Sequence, residues 1–142
     1  MHTQPSRSRR AGRKRALEIL YEADLKGRPL PAVLAEHLSG EGPDALSDFS
    51  VAIVRGVYRH RDELDALIQA NARDWKLSRM PIVDRNLLRM GLYEILHDPE
   101  VPNPVAINEA VDLAKELSTD DSGRFVNGLL ARVAERNAPA GA

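Results

Sequence analysis

A chain of 142 residues with 43% hydrophobic content suits one domain built around one core. The absence of cysteine excludes disulfides, thiolate metal sites and cysteine nucleophiles, and fits a cytoplasmic protein. No apolar run approaches the roughly 20 residues of a membrane helix, and the N-terminus lacks the apolar stretch of a secretory signal.

Helical periodicity runs through the chain and no segment alternates as a half-buried strand does. The first predicted helix starts at Ser8 or Arg9 and ends at Lys26, with Gly27 as its cap and Pro29 blocking continuation. Leu17, Leu20, Tyr21 and Leu25 share its apolar face. A short second helix has Pro31 in its first turn, an apolar side of Val33, Leu34, His37 and Leu38, and Gly40 as its end. Glu41-Gly42-Pro43 reads as a loop. Asp44 or Ser47 caps a third helix that turns Leu46, Phe49, Ile53 and Val57 inward. The apolar phase then shifts at Arg59-His60-Arg61, and Leu64, Leu67 and Ile68 define a fourth helix, separate or a bent extension of the third.

From Pro81 the fifth helix carries Val83, Leu87, Leu88, Leu92, Ile95 and Leu96 around more than half its circumference, which places it at the centre. Asn103-Pro104 opens a sixth helix, with Asn103 as cap and Pro104 first in the helix. Asp120 or Ser122 opens the last one, which faces Phe125, Val126, Leu129, Leu130 and Val133 inward. The short linkers predict one compact all-α domain of about seven helices over residues 9–137, with a flexible tail over 1–8 and a frayed end over 138–142.

Charge is where the sequence departs from an ordinary helical domain. Lys plus Arg total 20 and Asp plus Glu total 21, yet Arg7, Arg9, Arg10, Arg13, Lys14 and Arg15 occupy the first fifteen positions without an acid. Such asymmetry points to a polyanion, because each Lys or Arg near a phosphate releases a condensed counterion. The alternative is a solvated basic tail. Against that, the charges lead directly into the apolar face of the first helix, so a packed helix would aim Arg13 and Lys14. Cations at a helix N-terminus also oppose the macrodipole by roughly 0.3–1 kcal/mol each, a cost that a bound phosphate relieves.

Motifs for chemistry are absent: no HExxH, no Walker or dinucleotide loop, no G-x-S-x-G. His2, His37, His60 and His97 lie one per segment without a second ligand at helical spacing, so neither metal nor cofactor is expected. Arg89 and Glu94 beside Leu92, and Asn108-Glu109 between Ile107 and Ala110, read as ion-pairing or capping groups that fix helix register. Asp84-Arg85 should be exposed and available to a partner. Phe125 is either core or an aromatic at the lip of a nucleic-acid groove, and composition alone favours core.

Several blocks taken together resemble the NusB family of bacterial transcription antitermination factors. They are the Arg-rich start running into Leu20-Tyr21, then Trp75-Lys76-Leu77-Ser78-Arg79-Met80, Val83-Asp84-Arg85-Asn86-Leu87-Leu88-Arg89-Met90-Gly91-Leu92-Tyr93-Glu94-Ile95-Leu96, Val105-Ala106-Ile107-Asn108-Glu109-Ala110-Val111-Asp112-Leu113-Ala114-Lys115, and Phe125-Val126-Asn127-Gly128-Leu129-Leu130. The resemblance spans residues 9–135 in order. It implies two packed helical bundles, no enzymatic activity, and binding to boxA RNA of rRNA leader transcripts together with NusE, a small-subunit ribosomal protein. Other Nus factors and RNA polymerase would be engaged indirectly. By the same resemblance RNA contacts fall to Arg9, Arg10, Arg13 and Lys14 and to Asp121 and Phe125, and Asp84 and Arg85 face NusE. Gly12 and Ala11 interrupt the Arg-rich start, consistent with an end that orders on RNA. Monomer and homodimer are both open. Two further readings are a protein-only adaptor and the accessory domain of an rRNA methyltransferase; the second conflicts with the lack of a glycine-rich cofactor loop.

Overall fold

The computed structural model describes residues 6–40 and 45–137, with side chains from Arg9 onward. Expectations for residues 1–5, for the 41–43 loop, for Asp44 as a cap and for fraying over 138–142 lie outside the described residues. All the regular structure described is helical, in seven α-helices and one 3-10 turn: α1 (Ser6–Lys26), α2 (Leu30–Leu38), α3 (Asp48–Arg59), α4 (Arg61–Asn71), the turn Leu77–Arg79, α5 (Ile82–His97), α6 (Asn103–Leu117) and α7 (Asp120–Arg136). The all-α class and the helix count follow the sequence reading. The described residues divide after Arg59 into two compact units.

In the first unit α1 packs on α2 and α3. Its buried stripe is Ala16, Ile19, Leu20 and Ala23, with Leu17 beside it, whereas Tyr21 and Leu25 are exposed. The expected face was therefore rotated too far; positions 16, 19/20 and 23 mark its true centre. Gly27 ends α1 at φ 63°, with Arg28 N–H donating to the Ala23 carbonyl at 2.9 Å and Gly27 N–H to that of Asp24 at 3.3 Å. This left-handed closure favours glycine. Gly12 does not interrupt α1. A Cβ there would lie 3.0 Å from Phe49 Cδ2, and the Ser50 hydroxyl donates to the Gly12 carbonyl at 2.7 Å. Glycine stands at the point where α1 touches α3 most closely. Ser47 caps α3 by accepting from Ser50 N–H at 3.1 Å.

In the second unit α5 is the central element, packed on α4, α6 and α7. Leu87, Leu88 and Leu92 are wholly buried, each stabilising the fold by roughly 1.5–3 kcal/mol relative to exposure. Gly91 lets Leu130 of α7 lie against the α5 backbone, where an added Cβ would sit 2.7 Å from Leu130 Cδ1. α4 is a separate helix from α3: His60, at φ −104° and ψ 16°, breaks the path where the apolar phase shifts. Three helix starts differ from expectation. α1 begins at Ser6, ahead of Ser8 or Arg9 and inside the stretch expected as a tail. Pro102 holds the cap position of α6, so Asn103 is its first helical residue and makes no capping bond. Thr119 caps α7, accepting from Ser122 N–H at 2.9 Å, in place of Asp120 or Ser122. In each case the chain turns into the helix one or more residues earlier than the side-chain pattern indicates.

Candidate nucleic-acid interface

Two surfaces carry the residues that the sequence singled out, one in each unit. In the first unit Arg9 and Arg13, four residues apart and so on one side of α1, both lie over the Phe49 ring of α3, with guanidinium carbons 5.4 and 5.1 Å from its centroid. Such contacts are worth about 0.5–2 kcal/mol depending on desolvation. Stacking uses the face of a guanidinium and leaves its edge for hydrogen bonding. Arg9 is half-buried, and its Nε is shielded from solvent without a hydrogen-bond partner among the described residues. Arg10 is exposed and Lys14 half-buried, while Arg15 donates to Glu18 at 2.9 Å. Arg13 is only 3% exposed. Tucked against Phe49, it anchors the basic end of α1.

In the second unit a concavity of about 540 Å³ is lined by Asn71, Arg73, Trp75, Phe125, Arg132 and Arg136, among others. Trp75 and Phe125 meet at 4.8 Å between centroids with planes tilted by 60°. Arg132 donates to the Asn71 carbonyl at 2.9 Å and Arg136 to Asn71 Oδ1 at 2.8 Å. These bonds hold two cations at the rim of an aromatic wall. Phe125 is half-buried on that wall, so the core assignment is corrected and the lip of a groove describes it better. Asp121, on the first turn of α7, is exposed and pairs with Arg124. Trp75, Arg132 and Arg136 were missed because Trp75 lies 50 to 61 positions from Phe125, Arg132 and Arg136, and such a separation carries no shared local pattern.

A polar node sets the start of α7 and with it Asp121 and Phe125. Ser122 Oγ donates to Asp84 Oδ2 at 2.7 Å, and Thr119 Oγ1 donates to Ser122 Oγ at 3.0 Å. Asp84 is wholly buried, and its Oδ1 has no hydrogen-bond partner among the described residues. The expected exposed Asp84 is thus corrected: lying in the first turn of α5, it faces α7. Arg85 is half-buried and donates to the Ser78 carbonyl at 3.3 Å.

Of the register-fixing residues, Arg89 is buried and its partner is Asp65 of α4, with Nε at 2.7 Å and Nη2 at 3.3 Å, together with Asn86 Oδ1 at 3.0 Å. Glu94 is buried too. Asn108 is exposed and Glu109 half-buried. The histidines are not scattered as their sequence positions imply. His60 and His97 stack at 3.7 Å beside Glu63. No helix among the described residues is long and apolar enough to cross a membrane.

Fold and surfaces together define the class: a small all-helical protein that presents fixed arginines and a half-buried aromatic pair. Residues 10–135 match the model of the NusB family. The chain is 51% identical to the transcription antitermination protein NusB of Salinispora arenicola over 131 residues, which cover 90% of this chain and 96% of that one. It is 47% identical to the protein of that name from Clavibacter sepedonicus, covering 92% and 98%. Among solved structures, T. maritima NusB superposes with a TM-score of 0.81 at 33% identity, covering 98% of this chain and 96% of that chain. A chain from a complex of antitermination factors NusB and NusE with dsRNA gives a TM-score of 0.79 at 27% identity, covering 93% and 99%. The chain belongs to the NusB family, and its function is transcription antitermination.

Proposed function

We propose that the chain performs antitermination without a chemical step, by capturing boxA RNA of rRNA leader transcripts jointly with NusE in the cytoplasm and delivering both to RNA polymerase and the other Nus factors. The observation that carries this reading is the packing of Arg9 and Arg13 over Phe49, which makes the basic segment part of a folded helix. Arg9, Arg10 and Lys14 neutralise phosphates. Phe125, on the wall of its concavity, stacks an unpaired base, as aromatic side chains do in single-strand recognition. Asp121, paired to Arg124 at the start of α7, contacts the RNA beside it. The surface around Arg85 faces NusE, with buried Asp84 bracing it from within. Support comes from the related structure in which NusB and NusE occur with RNA.

Titrating boxA-like RNA across a salt series tests the mechanism. Three phosphate contacts give a log–log slope near about −2 for a single strand. Replacing Arg9 and Arg10 with Ala should reduce that slope by roughly 0.7 for each phosphate no longer neutralised. A flat dependence, or full affinity after both substitutions, refutes the phosphate mechanism. NusE capture that needs no RNA and survives loss of the basic residues favours the protein-only adaptor instead. Sedimentation of the protein alone and with both partners distinguishes a monomer from a homodimer.

A further inference from the structure

One group of ligand-capable side chains in the second unit takes no part in the surfaces described so far. His60 stands at the cap position of α4, Glu63 lies in the first turn of that helix, and His97 is the last residue of α5. His97 Nε2 is 2.6 Å from Glu63 Oε1, and His60 Nδ1 is 3.8 Å from the same oxygen. One ring nitrogen from each histidine therefore converges on a single carboxylate oxygen, and the three ligand atoms all lie within 4.8 Å of one another. The two imidazoles keep 30% and 27% of their side-chain surface and Glu63 keeps 51%, so the cluster is open to solvent on one side.

Two imidazole nitrogens and one carboxylate oxygen are the donor set of a borderline divalent transition cation; magnesium and calcium prefer oxygen alone. Ligand atoms held at 2.0–2.2 Å around a tetrahedral zinc stand about 3.4 Å apart. The observed 2.6 and 3.8 Å separations bracket that value. We propose that His60, Glu63 and His97 bind a divalent transition cation, Zn2+ fitting best, with its remaining position open to water. The ion clasps the start of α4 to the end of α5. The carbonyl end of α5 favours a cation and the N-terminal end of α4 opposes it, so the two dipoles offset and the Glu63 carboxylate supplies the local negative charge. Of the two cations that flank His60 in sequence, Arg59 and Arg61, the second is turned to Asp65 at 3.1 Å. A metal lies near the plane of each imidazole it binds. The rings now stack at 3.7 Å with planes 11° apart, so they must rotate out of the stack when the ion enters. That rotation separates metal binding from the simple hydrogen bond between His97 and Glu63.

The test is calorimetric titration of the full-length, metal-stripped protein with Zn2+, followed in parallel by NMR of the histidine ring protons. Expected are saturable one-to-one binding and loss of the mutual ring-current shifts of His60 and His97. The melting temperature should rise by about 5–11 °C when free zinc is about 100 times its dissociation constant. Magnesium at equal concentration should do none of this. His97→Ala should weaken binding at least about 100-fold and Glu63→Gln about tenfold or more. His97→Asn serves if the alanine variant does not fold. His37→Ala should change nothing, although His37 sits 3.3 Å from Glu22 in a similar pair. Absence of saturable binding, or binding that persists when both His60 and His97 are replaced, overturns the proposal. So does saturation with the ring stack intact.

Discussion

The two units use arginine in opposite ways. In the first, Arg9 and Arg13 rest on an aromatic face, and their side chains are oriented by packing. In the second, Arg89 is locked edge-on to Asp65 in the interior, and Arg132 and Arg136 are tied to Asn71. An aromatic support directs a cation while its donors remain for hydrogen bonds; a carboxylate or carbonyl support uses the donors themselves. The first arrangement suits a surface that meets phosphate, the second suits a joint between helices.

The widest contrast should appear with Asp65→Ala. Breaking this pair, in which Arg89 is 3% exposed, should cost about 3–5 kcal/mol, measurable by urea unfolding. A loss below about 1 kcal/mol would make Arg89 no more than a surface pair. Phe49→Ala should cost less, about 2 kcal/mol, because Phe49 is only half-buried and a full Phe→Ala core deletion costs 3–5. It should also lower boxA RNA affinity several-fold, since Arg9 loses its support. Unchanged affinity would show that the ring packs α1 and does not aim it. Phe125→Ala, at another half-buried ring, should cost about 2 kcal/mol of stability as well. RNA affinity should fall by about 1–3 kcal/mol besides, the usual worth of one stacked base.

The smallest effect belongs to the exposed pair of Arg28 and Glu36, joined at 2.6 and 2.9 Å. The hydrogen bond from Arg28, more than its charge, holds the Glu36 carboxyl below its ordinary range. A lowered carboxylate contributes stability above its unfolded pKa and loses it as pH falls through the folded value. Glu36→Gln should therefore melt slightly below the parent at pH 7, and the difference should shrink as pH falls below the ordinary carboxylate range. A gap that widens on acidification contradicts this sign.

Local chemistry explains which features the sequence disclosed. Helix number, the proline and glycine stops and the central position of α5 depend on periodicity and backbone preference within a few residues, and all are visible in one dimension. The basic end of α1 was equally legible, because charge is additive along a chain. Legibility failed where a residue's role depends on something distant. Gly12 reads as a helix interruption until Phe49 and Ser50 are seen against it. Asp84 reads as a surface acid near the start of a helix until Ser122, 38 positions on, donates to it.

What the sequence alone determined was therefore the inventory: seven helices, a cationic start, and residue blocks that resemble one family. Tertiary structure decided which polar groups are buried, which arginines are aimed and by what, and that Trp75 meets Phe125 and His60 meets His97. The division has one physical cause. Helix formation and net charge are set by neighbours along the chain, whereas burial, ion pairing and ligand geometry exist only after remote segments have packed.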